Sequence, residues 1–305
     1  MRRKVAALSL EHENIVGGEI ASITDYPYHV YVSVANSVCN GAILDKYHII
    51  SAAHCVMDNQ GQVQSQIKVS AGIKSIYEIS ASRFDAYVDT VYLHQDFNPV
   101  EEKLIFSGDI AVLKLDKIML LDDLHMAKVE LPPLLIGHNP EFHIGTEPVL
   151  TGFGYNAVTI DRSHDNKISV TGNSFGELQF AKTRVLSLKE CSRTRPHGGV
   201  NLLRELCSQM EQPKETEGTM PRGACLGDSG GPLVLKSNEK NLLIGILSRG
   251  PKECNEQLRP SVYTRTSYYR DFIECVMHNS SFPETECNSV SWKIKLQTKF
   301  EPNRM

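Results

Sequence analysis

The 305-residue sequence predicts an all-β, antiparallel fold closed by a single C-terminal helix. Two observations carry that expectation: short runs rich in β-branched and aromatic residues recur along the chain between turn residues, and only one segment has helical spacing. Residues 28–34 and 42–51 form the first pair of strand-like runs, with Asn40-Gly41 between them as a turn signal. Residues 91–94, 110–115, 148–151, 232–235 and 242–247 read likewise. The helix is expected over 268–278, where Tyr269, Phe272, Ile273 and Val276 recur three and four residues apart. Beyond it, Trp292-Lys293-Ile294-Lys295-Leu296 alternates as an edge strand would, but a disordered extension is the expectation. The net charge of −4 and the lack of any apolar run near the roughly 18 residues of a membrane span argue against nucleic-acid and membrane partners.

Three local motifs carry chemistry. Gly227-Asp228-Ser229-Gly230-Gly231-Pro232 presents one serine in a glycine-rich turn, and at average residue usage it arises by chance in on the order of one in a hundred thousand chains of this length. Upstream, Ser51-Ala52-Ala53-His54-Cys55 supplies a base, and Gly108-Asp109 before the apolar run from Ile110 supplies an acid. The order His, Asp, Ser is that of the chymotrypsin-like β-barrels, not of subtilisin or the α/β-hydrolases.

From Ile15-Val16-Gly17-Gly18 to about Met277 the chain resembles the trypsin/chymotrypsin-like family of serine peptidases. The resemblance implies two similar six-stranded antiparallel β-barrels with the C-terminal helix, packed as one catalytic unit over 15–280. Residues 1–14 are then a leader or pro-segment and 281–305 a C-terminal extension. His54, Asp109 and Ser229 would be the catalytic triad: His54 takes the serine proton, and Asp109 orients the imidazole and stabilises its charged form. The backbone N–H groups of Gly227 and Ser229 would receive the oxyanion of the tetrahedral intermediate.

The resemblance also assigns an activation step and a pocket. Cleavage before Ile15 would free an ammonium group that pairs with Asp228, yet Asn14 stands where relatives usually carry Arg or Lys. An Asn-selective activating protease, direct removal of the leader, and a zymogen that never matures all fit that residue. The pocket floor would be Gly223 followed by Ala224, the walls Gly250, leaving the mouth open, and Ser261. With no carboxylate there, an uncharged P1 residue is expected, chymotrypsin-like (Leu, Phe, Tyr, Met) before elastase-like (Ala, Val). Ser248 would pair with the substrate backbone and support Asp109, and Arg249 would either favour acidic residues near the cut or face solvent. Loops 153–178 and 207–225 look enlarged.

Eight cysteines without CxxC pairs point to disulfides and an oxidising compartment. Family resemblance pairs Cys39 with Cys55, Cys191 with Cys207 and Cys225 with Cys254; Cys275 and Cys287 are left to pair with each other. Met1-Arg2-Arg3-Lys4 begins like a signal peptide, but its apolar stretch at 5–10 is shorter than the usual core. Asn279 heads a glycosylation sequon. The expectation is a secreted, extracellular monomeric endopeptidase acting on protein or peptide substrates, served by an activating protease and protein inhibitors. No cofactor and no metal are expected, since 70–81 offers only Glu78 to a calcium ion. The other class of function is a non-catalytic or weakly active homologue that binds partners through the same scaffold; Asn14, Arg249 and Phe153 favour it, the complete triad opposes it.

Overall fold

After a two-residue strand β1 (Glu19–Ile20), six strands wrap into the first barrel: β2 (His29–Val34), β3 (Ser37–Ile43), β4 (His48–Ser51), β5 (Ile67–Ala71), β6 (Phe84–His94) and β7 (Ala111–Leu115). They run in the order β6-β5-β2-β3-β4-β7, and the ring closes where β6 pairs with β7 through Val91 opposite Leu113 and Leu93 opposite Ala111. Next come β8 (Val149–Gly152), the hairpin β9 (Thr159–Asp161) with β10 (Ser169–Thr171), β11 (Gln179–Val185), helix α1 (Leu188–Thr194), β12 (Glu205–Met210), β13 (Pro232–Ser237), β14 (Lys240–Arg249) and β15 (Ser261–Arg265). The second barrel runs β11-β12-β15-β14-β13-β8 and closes on itself through Phe180 opposite Thr151, with β1 added to the outside of β11. Helix α2 (Arg270–His278) and strand β16 (Val290–Lys295) are the last of the described elements. This computed structural model describes residues 15–296 apart from 36, 59, 99–106, 134–138, 140, 155–158, 162–168, 172–175, 195–199, 212–221, 252–258 and 279–289.

The two closed six-stranded antiparallel barrels are the architecture that the resemblance implied. The period-2 pattern explains why the strands close: in β11, Gln179, Ala181, Thr183 and Val185 point inward and are buried, while the intervening residues are more exposed. Val30, Val32, Val69, Val91 and Val112 fill the first barrel; Leu150, Leu206, Leu233, Ile244 and Tyr263 fill the second. Each such side chain contributes about 1.5–3 kcal/mol on burial, and closure leaves few free sheet edges. On α2, Phe272, Ile273 and Val276 are buried on one face. No helix among the described residues is long and apolar enough to cross a membrane.

Four expectations need correction. Asn40-Gly41 is not a turn; both residues lie inside β3, and the β2–β3 reversal comes earlier, at Ala35, whose φ of 48° supplies the left-handed step. The run 42–51 is not one strand but the end of β3, a loop and β4. Helix α1 was not anticipated, and at seven residues it is too short to show periodicity. Over 290–295 the tail is not disordered: it pairs antiparallel with β6, Ile294 opposite Val91, and Leu296 is buried.

Candidate active site

His54 sits in a single 3-10 turn, Ala53–Val56, directly after β4. The disulfide between Cys39 of β3 and Cys55 fastens that turn to the barrel wall, with a Cα–Cα distance of 6.1 Å. Asp109 lies just before β7 and is completely buried. Its Oδ1 accepts the His54 backbone N–H at 2.9 Å and its Oδ2 takes His54 Nδ1 at 2.8 Å. Ser248, from β14 of the other barrel, donates its hydroxyl to the same Oδ2 at 2.6 Å, and Thr264 donates to the Asp109 carbonyl at 2.7 Å. Both barrels therefore hold the acid between them.

The electrostatics follow from this geometry. Burial pulls the His54 pKa down, but the Asp109 charge and hydrogen bond outweigh it, and the imidazole stands above its ordinary value. Burial pushes Asp109 up, yet the His54 charge, its two bonds and the Ser248 hydroxyl leave the carboxyl below the usual range. Nδ1 is committed to Asp109, and Nε2, on the opposite side of the ring, lies 3.9 Å from Cys55 Sγ.

Ser229 is carried by the turn between Cys225 and β13. Gly227 has φ 90° and Gly230 φ 75°, conformations that side-chain-bearing residues rarely adopt. A Cβ on Gly230 would also collide with the Asn40 carbonyl and the Ser51 hydroxyl, so the serine turn presses directly on the strand ends that lead to His54. The Ser229 carbonyl accepts the Asn40 N–H at 2.8 Å, and the Asp228 carbonyl accepts the Gly231 N–H at 2.9 Å.

Asp228 is fully buried, and its two oxygens accept backbone N–H groups from Gly154 at 3.0 Å and Cys225 at 2.8 Å. Burial outweighs these bonds and pushes the carboxyl up to about 7. Ile15 is also buried, in one cluster with Ala224, Leu247 and Tyr263, and has φ 45°, a strained setting for a β-branched side chain. Val16 pairs antiparallel with Gly223, whose N–H donates to the Val16 carbonyl at 3.0 Å, so the segment after Asn14 is stitched to the residue expected at the pocket floor.

The residues expected to line a substrate pocket are placed as follows. Gly223 and Ala224 are buried, and so is Ser261, which lies opposite Ser208 in the β12–β15 pair. A Cβ added at Gly250 would stand 3.3 Å from the Ala224 carbonyl oxygen, so this expected wall packs closely on the expected floor. Arg249 neither faces solvent nor offers a bare cation to substrate. Its guanidinium turns inward and meets the Glu205 carboxylate at 2.6 Å, with both side chains mostly buried.

Cys191 is bonded to Cys207, and Cys225 and Cys275 are in disulfides as well; Cys254, Cys287 and the sequon residue Asn279 lie outside the described residues. Much of the enlarged loops 153–178 and 207–225 also lies outside them. Cys39, His54 and Cys55 bring three ligand-type atoms within 4.8 Å, but the two sulfurs are bonded to each other and hold no thiolate for a metal. Sequence reasoning missed Glu205, Thr264, His29 and the side chain of Asn40. Asn40 carried one readable signal, since asparagine is depleted in strand interiors.

Comparison with known proteins agrees with this geometry. The family model for trypsin matches residues 15–273. Coagulation factor XI of Bos taurus is 31% identical over 265 residues, which is 85% of this chain and 37% of that protein. The chain thus spans little more than a third of the length of that relative.

Proposed function

The chain belongs to the trypsin family of serine-type endopeptidases, and from that premise we propose that it is made as a secreted zymogen and cleaves proteins after an uncharged, apolar residue through an acyl-enzyme. The observation that carries the reading is the buried Asp109 carboxylate, bonded to His54 Nδ1 and Ser248 while the Ser229 turn packs against the strand ends beside His54. In the proposed mechanism Ser229 Oγ attacks the substrate carbonyl as its proton passes to His54 Nε2, and Asp109 stabilises the resulting imidazolium without taking the proton. The C–O bond to Ser229 forms, the oxyanion is met by the Gly227 and Ser229 N–H groups, and as it collapses the scissile C–N bond breaks while His54 returns the proton to the leaving amine nitrogen. Water then repeats the sequence on the acyl-enzyme and frees Ser229.

Zymogen character is supported by two features: the strained, buried Ile15, and Asp228 held at about 7 by burial with two backbone donors. An ammonium group freed at Ile15 would supply Asp228 with the charge partner that burial demands. Gly223, Ala224 and Ser261 offer no carboxylate, which supports an uncharged P1 residue; disulfides support an oxidising, extracellular setting. Activating protease, protein inhibitors and a monomeric state belong to the same reading.

Reaction with a fluorophosphonate probe, read by mass spectrometry together with the mature N-terminus, tests it. Expected are an N-terminus at Ile15, an adduct on Ser229 and no adduct in Ser229→Ala. A chain cleaved before Ile15 that leaves Ser229 unlabelled would overturn catalysis and favour a partner-binding homologue. Robust cleavage after Arg or Lys in a peptide library would overturn the P1 assignment.

A further inference from the structure

We propose that Asn40 is a positioning residue that holds the peptide units of the oxyanion-donor turn, with His29 and Thr151 fixing the orientation of its amide. This rests on the reading of Gly227 and Ser229 as oxyanion donors. Asn40 lies in mid-strand in β3, is fully buried, and spends every polar atom on the site. Its Oδ1 accepts the Phe153 backbone N–H at 3.1 Å; since an N–H only donates, that atom must be the oxygen and the NH₂ must point the other way. The NH₂ donates to the Gly227 carbonyl at 2.7 Å. Burial holds His29 neutral, with a pKa of about 3, so one ring nitrogen donates and the other accepts. His29 Nε2–H donates to Asn40 Oδ1 at 3.0 Å, and Nδ1 accepts the Thr151 hydroxyl at 2.7 Å. The relay runs in one direction, from Thr151 through His29 and Asn40 to Gly227.

The backbone of Asn40 completes the clamp. Its N–H donates to the Ser229 carbonyl at 2.8 Å, and its carbonyl accepts the Ser51 hydroxyl at 2.7 Å. The two proposed donors belong to the peptide units 226–227 and 228–229. The unit between them, 227–228, is held by the Asn40 amide, and the unit after them, 229–230, by the Asn40 N–H. Gly227 has the least intrinsic resistance to rotation, so a flip there would turn a donor away from the substrate. The side-chain bond of Asn40 opposes that flip from the far side of the turn.

The test uses the full chain matured at Ile15, as wild type, Asn40→Ala, Asn40→Asp and His29→Ala, each checked for its thermal transition. Steady-state turnover of a peptide anilide and amide hydrogen exchange across 226–231 are measured together. Expected for Asn40→Ala is a fall in kcat of about 10- to 100-fold, with KM within about threefold and faster exchange confined to the serine turn. Asn40→Asp should lose more, and increasingly as pH rises, because a carboxylate oxygen then faces the Gly227 carbonyl. His29→Ala lies outside the turn and should lose about 3- to 10-fold in kcat, which keeps the test open if Asn40→Ala fails to fold. Unchanged kcat and unchanged exchange in the folded variants would overturn the positioning role. A wild type without turnover or Ser229 labelling would overturn the proposed function instead, and exchange across the turn would then decide the role of Asn40 alone.

Discussion

The Arg249 guanidinium and the Glu205 carboxylate meet at 2.6 Å between β14 and β12, with both side chains mostly buried. Asn201 adds a backbone N–H to the other Glu205 oxygen at 2.9 Å. Removing one member of a buried pair leaves the other uncompensated, a cost of about 3–5 kcal/mol when both are fully desolvated and somewhat less here. Glu205→Gln should therefore destabilise the fold by about 2–3 kcal/mol in chemical denaturation. It should also free Arg249 to select acidic residues near the scissile bond in a peptide library. An unchanged library profile would show that Arg249 does not face substrate even without its partner.

His54 and Asp109 give a pH expectation with a definite sign. The Asp109 charge favours the imidazolium, so the His54 pKa stands above its ordinary value and the basic form is lost as pH falls through that raised value. The acid limb of kcat/KM should follow it. Asp109→Asn removes the charge, so the His54 titration followed by NMR should move to lower pH, and turnover should fall by on the order of 10⁴-fold, the size this substitution has in such triads. A His54 titration that stays in place would mean Asp109 is not its electrostatic partner.

Legibility in the sequence divided along a physical line. What is local in the chain was readable: the Ser229 turn, the residues flanking His54, the apolar face of α2 and the short inward-outward strands. What depends on contact across the fold was not. Asn40 reads as a turn residue because Asn-Gly favours left-handed backbone, but its amide is satisfied by Phe153 and Gly227, 113 and 187 residues away, and that outweighs local propensity. Arg249 reads as a free cation because Glu205 sits 44 residues earlier with nothing to mark it. The close approach of Gly250 to the Ala224 backbone likewise joins two separate segments of the chain.

Asp228 makes the uncleaved chain sensitive to pH. Its carboxyl is raised from 3.8 to about 7, so the fold holds a proton that the unfolded chain releases. That contribution is fully present below about pH 4 and is lost as pH rises through about 7. The transition temperature of the uncleaved chain should therefore fall between pH 5 and pH 8 by more than in Asp228→Asn, where no charge develops. At pH 8 the Asn variant should be the more stable of the two, by about 1–3 kcal/mol, or roughly 2–4 °C per kcal/mol. After cleavage before Ile15 the order should reverse, because the proposed ammonium partner favours the charged carboxylate. Equal pH dependence in both variants would show that Asp228 titrates at its ordinary value.

β16 extends the first barrel beyond its closed ring, and Leu296 just after it is buried against the barrel core. The Leu296 N–H donates to the Asp89 carbonyl at 2.7 Å, and the side chain is 8% exposed against the first-barrel core. Among the described side chains of this stretch, Lys293 and Lys295 are exposed, Ile294 is half-buried and Leu296 is buried. Leu296→Ala should remove buried apolar contact and cost about 2–3 kcal/mol, at the low end for such truncations because the strand lies at the periphery. Lys295→Ala, on the solvent side, should stay within about 0.5 kcal/mol. Hydrogen exchange distinguishes a strand that carries stability from one that merely rests on β6: in Leu296→Ala the amides of 290–296 and of their β6 partners should exchange faster, while those of β4 remain protected. Protection of β16 that survives Leu296→Ala would place its anchor in the ladder bonds rather than in the side chain.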